Sequence, residues 1–212
     1  CGVQYRVQGG FPVVLPEGRA SSDDQDQELV SAMRAVPDGA LQALLRAQVA
    51  GLRPPILDMG CGIQDWDRPE VVGLDPRLAF LQQRGGRGVV GDAQDPPFEP
   101  ESFSAVCLLN VLDSVPNPAL VLAWADALLV RGGELLLAMP FAWHAVVPER
   151  RRFDWETLVA SLEGRSQAMG LRFRYAVHSQ WRDVGWLGAG AEEPEFRVQV
   201  LQATKGPPPT QL

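Results

Sequence analysis

Most of the residues that could do chemistry in this chain sit in a few short stretches, each following an apolar run. Ile56-Leu57-Asp58-Met59 runs into Gly60-Cys61-Gly62. Two glycines one residue apart let a ligand approach the backbone without meeting Cβ atoms. Asp75 closes the run Val71-Val72-Gly73-Leu74, 17 residues beyond Asp58, where a carboxylate can accept two ribose hydroxyls. Asp92 follows Gly88-Val89-Val90-Gly91 and can accept a hydrogen bond from an exocyclic amine such as that of adenine. Each acid alone is more often a helix cap or loop residue than a ligand contact. Together, at the ends of successive strands, they form a far more specific constellation.

Two later stretches carry polar groups. Asn110-Val111-Leu112-Asp113 and Pro140-Phe141-Ala142-Trp143-His144 follow the next two apolar runs. His144, one of only two histidines, can act as a base near neutral pH; a surface histidine without a chemical role is the competing reading. His178 falls inside a late strand pattern and reads as structural. Trp143, Trp181 and Trp186 can wall a pocket for a flat or cationic ligand, although packing alone also explains them. Cys61 and Cys107 lie beside or within apolar strands and read as buried thiols without chemistry.

The elements that must position these residues alternate between two periods. Ser21-Ser22-Asp23-Asp24 offers N-cap chemistry. After Pro37-Asp38-Gly39, Leu41, Leu44, Leu45 and Val49 recur at helical spacing up to Gly51. Short strands are expected at 55–59, 71–74 and 88–91, a fully buried one at 103–109 and another at 134–139. Helices are expected from Leu78 to Arg84, from Pro118 to about Leu129, and from Asp154 to Met169. Leu171 to Ser179 and Phe196 to Thr204 read as late strands, joined by a Gly-rich loop through Trp181 and Trp186. Strands alternating with helices imply an α/β fold with a mainly parallel sheet, whose ligands sit at the carboxyl ends of the strands.

Composition narrows the function class. The chain has 212 residues, 46% apolar and 21% charged, with a formal charge of -7. That apolar fraction suits a globular fold rather than a disordered one. No apolar run reaches the ~18 residues of a membrane helix, and Cys1 to Gly10 has no apolar core of the signal-peptide kind. Three cysteines make no disulfide framework, so a cytoplasmic location is expected. The acid excess disfavours nucleic acid as the main partner, and Arg150-Arg151-Arg152 reads as a solvated turn before a helix.

The ordered set Ile56-Leu57-Asp58-Met59-Gly60-Cys61-Gly62, Val72-Gly73-Leu74-Asp75, Gly91-Asp92-Ala93, the 103–109 strand and Leu129-Val130-Arg131-Gly132-Gly133-Glu134-Leu135 resembles the successive motifs of Rossmann-like, class I S-adenosylmethionine-dependent methyltransferases. The resemblance covers roughly Pro55 to Lys205. It implies a seven-stranded sheet in the order 3-2-1-4-5-7-6, with the last strand antiparallel, and S-adenosylmethionine as cofactor. Gly60 and Gly62 would lie under its methionine part, with Asp58 anchoring the turn. Asp75 and Pro76 would hold the ribose, Asp92 and Ala93 the adenine, and Asn110 would line the same site. The stretch from Asn110 to Pro118, with Pro140-Phe141-Ala142-Trp143, is similar to segments of mercaptohistidine and, more loosely, protein histidine N-methyltransferases. That similarity implies that Asn110 orients a polar acceptor while Asp113 hydrogen-bonds it or takes its proton. The expected activity is N-methylation of a small molecule or peptide side chain.

A nicotinamide dehydrogenase is the competitor for a glycine turn followed by an acid. Its pyrophosphate needs a third glycine and a helix N-terminus. Here Gln64-Asp65 brings no third glycine, and Asp65-Trp66-Asp67-Arg68-Pro69 leaves no room for a helix before Val71. Those acids repel a diphosphate and tolerate a sulfonium. A catalytically idle module serving a protein partner, and an RNA methyltransferase, are the alternatives. The domain division expected is 1–20, 21–205 and a disordered tail at 206–212. The front segment, with a turn at Gln8-Gly9-Gly10, resembles the closing half of a zinc-ribbon methyltransferase-activator domain. A zinc site needs four ligands and only Cys1 is near, so no metal is expected.

Overall fold

The computed structural model describes residues 6–15, 23–35, 39–171, 173–187 and 194–207. The expected features at Cys1, Ser21-Ser22 and Pro37-Asp38, and the tail beyond Pro207, lie outside them. A single mixed sheet organises the chain. Its strands are β1 (Arg6–Gln8), β2 (Phe11–Val13), β3 (Ile56–Met59), β4 (Val71–Asp75), β5 (Arg87–Val90), β6 (Phe103–Leu109), β7 (Leu129–Met139), β8 (Tyr175–Leu187) and β9 (Pro194–Lys205). They lie in the order β1-β2-β5-β4-β3-β6-β7-β9-β8. The helices are α1 (Asp23–Arg34), α2 (Ala40–Gly51), α3 (Leu78–Arg84), α4 (Pro118–Leu128) and α5 (Trp155–Leu162).

The expected seven strands are corrected to nine among the described residues. The seven from β5 to β8 follow the 3-2-1-4-5-7-6 pattern, and β9 is antiparallel to both its neighbours. The addition is the front hairpin, which joins the sheet rather than standing off it. Val13 pairs in parallel with Val90, and Val14 N–H donates to the Val90 carbonyl at 3.0 Å. Gly9 and Gly10, at φ 57 and 89, make the tight turn. An open β5 edge would present unpaired backbone groups, and the hairpin covers them.

The period-2 pattern of the central strands divides the core. Leu57, Met59, Val106, Leu108, Leu135 and Leu137 meet Val121, Leu122, Ala125 and Leu128 of α4 and Leu158 and Leu162 of α5. Ile56, Ala105, Cys107, Leu136 and Ala138 face the other way, onto Leu41, Leu45 and Val49 of α2. Because both faces are covered, the strands are apolar throughout and the polar residues are pushed to their ends.

Three expected boundaries are corrected. The last helix ends at Leu162 instead of Met169, because Gly164 at φ 73 lets the Arg165 and Ser166 N–H groups both bond back to the Ala160 carbonyl. Its start is as the sequence implies, with the Asp154 side chain accepting from Thr157 N–H at 2.8 Å. The strand expected at 171–179 begins at Tyr175, and Trp181 and Trp186 lie on it rather than in a loop. No helix among the described residues is long and apolar enough to cross a membrane.

Candidate functional site

Residues at the carboxyl ends of β3, β4, β5 and β6 converge on one cavity of about 1160 Å³. Its lining includes Asp58, Gly60, Gly62, Asp75, Pro76, Asp92, Ala93 and Asn110. Parallel register puts Asp58 opposite Gly73 and Asp75 opposite Val90, one residue before the chain leaves β5 for Gly91 and Asp92. The stagger of adjacent strand ends therefore lays the three acids along one rim. Asp113 and His144 do not line this cavity. Asp113 is 2% exposed, in a 3-10 turn at Leu112–Ser114, and its carbonyl accepts from His144 N–H at 2.9 Å.

The glycine turn is held by the second acid. Gly60 N–H and Cys61 N–H both donate to the Leu74 carbonyl, at 2.7 and 3.2 Å. Gly62 N–H donates to Asp75 Oδ2 at 3.1 Å, and Arg77 N–H to Asp75 Oδ1 at 2.9 Å. Gly60 has φ 72, and a Cβ there would lie 2.5 Å from Val111 Cγ2. Gly62 has φ 57 and faces Met33 of α1, 3.1 Å from where its Cβ would be. Both positions thus need glycine for backbone reasons as well as for ligand approach. Asp92 Oδ1 accepts from Gln94 N–H at 2.8 Å, shaping the turn before the Ala93 wall.

Between Gly62 and Val71 the chain forms no helix. Side chains brace the turn instead. The Trp66 indole N–H donates to Asp58 Oδ2 at 2.7 Å. Arg84, 4% exposed, donates through Nε to the Gln64 carbonyl at 2.9 Å and through Nη1 to the Arg87 carbonyl at 3.2 Å. Gly73 leaves room for it, since a Cβ there would come within 3.2 Å of the guanidinium carbon. Arg68 Nη1 donates to the Val49 and Leu52 carbonyls at 2.6 and 3.0 Å, capping the end of α2. Met33, Arg77 and Arg84 also line the cavity. Sequence reasoning missed them, because no spacing rule ties a residue on α1 or α3 to this turn.

The electrostatics follow from burial. Asp58 is pushed from 3.8 up to about 6, chiefly by burial and also by Asp75, against the Trp66 hydrogen bond and Arg84. Burial also raises Asp75, while the Arg77 and Gly62 N–H groups pull it back. Burial raises Asp113, against the nearby His144 and the Asp113 and Ala142 N–H groups. The Cys61 and Cys107 thiols are raised well above their usual value by burial. Five carboxylates (Asp58, Asp65, Asp67, Asp75 and Asp92) line the cavity against three arginines. Each arginine is engaged: Arg84 by carbonyls, Arg77 by Asp26 at 3.5 Å, Arg46 by Asp67 at 3.8 Å. The residual field favours a cation. Neutral or cationic ligands with hydroxyl and amine donors fit this donor set, as a nucleoside bearing a sulfonium does. A diphosphate does not.

Comparisons with known proteins agree with that geometry. The methyltransferase-domain family matches residues 57–137, while no curated protein matches the chain. Among solved structures, a Thermotoga maritima protein described as a possible histamine N-methyltransferase superposes with a TM-score of 0.57 at 17% identity, over 86% of this chain and 95% of its own. An S-adenosylmethionine-dependent methyltransferase from Mesorhizobium loti gives 0.55 at 18% identity, over 79% and 98%. The [4+2]-cyclase SpnF gives 0.54 at 14%, over 76% and 80%, so the same fold also serves a reaction of another kind. Residues 57–137 match the methyltransferase-domain family, the chain has the fold of S-adenosylmethionine-dependent methyltransferases, and the cofactor this implies is S-adenosylmethionine.

Proposed function

We propose that the protein is an S-adenosylmethionine-dependent methyltransferase acting at nitrogen on a small basic acceptor, an amine or imidazole, free or on a peptide side chain. The observation that carries this reading is the acid-rich cavity, with five carboxylates and no uncommitted arginine. When bound, the cofactor supplies an electrophilic methyl group on sulfur. Asp75, beside Pro76, would accept hydrogen bonds from the ribose hydroxyls, Asp92, beside Ala93, would accept one from the adenine amine, and Gly60 and Gly62 would admit the methionine part. Asp58 holds the turn through Trp66. Asn110, at φ 57 with its N–H on the Ala138 carbonyl at 2.8 Å, presents its amide to the acceptor.

Among the described residues no histidine lines the cavity. A hydroxyl acceptor needs a base to become nucleophilic, whereas a neutral amine or imidazole nitrogen already carries a lone pair. Positioning then does most of the work. In this reading Asp113 and His144 are positioning residues that tie the turn after β6 to the loop after β7. The likeness to a protein described as a possible histamine N-methyltransferase is consistent with such an acceptor.

One observation favours a second reading, a catalytically idle module that holds the nucleoside weakly or not at all and serves a protein partner. The Asp58 carboxylate is already engaged by Trp66, and the Asp75 carboxylate by two backbone N–H groups. Calorimetry with S-adenosylmethionine and S-adenosylhomocysteine, followed by an amine and imidazole screen for S-adenosylhomocysteine release, separates the two. Binding with turnover supports the enzyme, while no binding at millimolar cofactor by the folded protein favours the module and sinks the enzyme.

Asp75→Ala is expected to weaken S-adenosylhomocysteine binding by about 1–3 kcal/mol, the range for charge-assisted hydrogen bonds. Calorimetry on the folded variant checks it. An unchanged affinity would remove Asp75 from the ribose site.

A further inference from the structure

The β8–β9 hairpin runs past the end of the sheet. Met139, the last residue of β7, pairs with Gln199, so β9 before that residue and β8 from Val184 to Leu187 pair only with each other. Such an overhang could project flat into solvent. Register shifts between Val177 and Ser179 and between Trp181 and Val184, with Asp183 at φ 57, prevent that. Irregularities of this kind bend a strand and sharpen its twist. The overhang packs on α2, with Trp181, Val184 and Trp186 against the cluster that contains Leu41 and Leu45. Trp186 leans on Phe196 of the neighbouring strand, with ring centroids 5.5 Å apart and planes at 38°. From there it lines the cavity beside Leu41, Leu45, Leu109 and Asn110.

Strand order gives this end of the cavity its meaning. Asp92, Asp75, Asp58 and Asn110 follow β5, β4, β3 and β6, which are neighbours in that sequence. The overhang comes from the opposite side of the sheet to β5, so Trp186 stands at the end farthest from the acids assigned to the nucleoside. Asn110 lies at the same end, and its Oδ1 is buried without a hydrogen-bond partner. A buried acceptor left unpaired is costly, and a ligand N–H that satisfies it recovers that cost. A tryptophan face prefers flat rings and cations, and the acid-rich lining also selects for positive charge.

We propose that Trp186, carried over the cavity by the β8–β9 overhang, selects the methyl acceptor by stacking on a flat, N–H-bearing heteroaromatic ring attached to a cationic amine, whose ring N–H is accepted by Asn110. This deepens the methyltransferase reading and rests on it. The test uses the full chain saturated with S-adenosylhomocysteine and titrated with histamine, or with n-butylamine as an equally charged amine without a ring. Wild type is expected to bind histamine more tightly than n-butylamine. Trp186→Ala is expected to lose about ten-fold in histamine affinity with little change for n-butylamine, and Trp186→Phe to keep most of it. The melting temperature and S-adenosylhomocysteine affinity of each variant report on folding and on the nucleoside end. Unchanged histamine affinity in Trp186→Ala, equal losses for both amines, or wild type that binds S-adenosylhomocysteine but not histamine would each overturn the inference and leave the parent reading standing. Wild type that fails to bind S-adenosylhomocysteine overturns the parent reading itself.

Discussion

Asp58→Asn is expected to abolish about 3 kcal/mol of pH-dependent destabilisation between pH 4 and pH 8. The carboxyl is 1% exposed and titrates near 6 in the folded protein, against about 3.9 when unfolded. Below pH 4 both states hold the proton and the group costs nothing. As pH rises through 6, the unfolded chain has already ionised at little cost, while the folded one must keep a charge out of water. Stability therefore falls over that window and stays lower above it, by about 3 kcal/mol for a rise from 3.8 to about 6. An asparagine still accepts the Trp66 N–H through its carbonyl but has no charge to desolvate. Denaturant unfolding at a series of pH values checks this, and parallel pH profiles for the two proteins would show that the cost lies elsewhere. The same charge lines the cavity, so a cationic ligand is expected to compensate it. S-adenosylmethionine affinity should rise from pH 5 to pH 7 in the wild type, and this rise should be missing in Asp58→Asn.

Trp66→Ala is expected to cost about 4–6 kcal/mol at pH 8. The side chain is 8% exposed and packs with Leu41, Leu45, Val49, Ile56 and Val71. Emptying a buried tryptophan site costs about 3–5 kcal/mol, and leaving a buried acceptor without its donor about 1–3 kcal/mol more, the two overlapping in part. Against a typical total of about 5–15 kcal/mol, that makes the protein marginal. Trp66→Phe keeps most of the ring volume and loses only the N–H, so it should fall by about 1–3 kcal/mol. Unfolding curves for both variants check the split. A loss under about 1 kcal/mol for the alanine variant would mean that the turn collapses onto the gap and that Trp66 braces nothing.

The departures from the sequence reading have separate physical origins. Trp181 and Trp186 read as loop residues because Gly185 and the glycines that follow carry turn chemistry. Pairing with β9 overrides that local preference, and the register shifts absorb the mismatch. The helix after Asp154 reads too long because apolar spacing continues to Met169, while Gly164 in the left-handed region ends it a turn after Ala160. The hairpin was legible as a hairpin, through Gly9-Gly10. Its place beside β5 was not, since a sheet edge accepts any strand of suitable length and leaves no pattern in either partner.

What could be read without a structure was the order of strands and helices and the residues at the strand ends. Period-2 burial, positive-φ glycines and acids after apolar runs are local constraints, each written within a few neighbouring residues. What needed the tertiary structure was how those ends are held and what else reaches them. Arg84 reaches Gln64, Trp66 reaches Asp58, Met33 meets Gly62, and Trp186 comes over Asn110's end of the cavity from the far strand pair. Such contacts depend on packing between elements distant along the chain. Many residue types satisfy them, so they impose no spacing a reader could find.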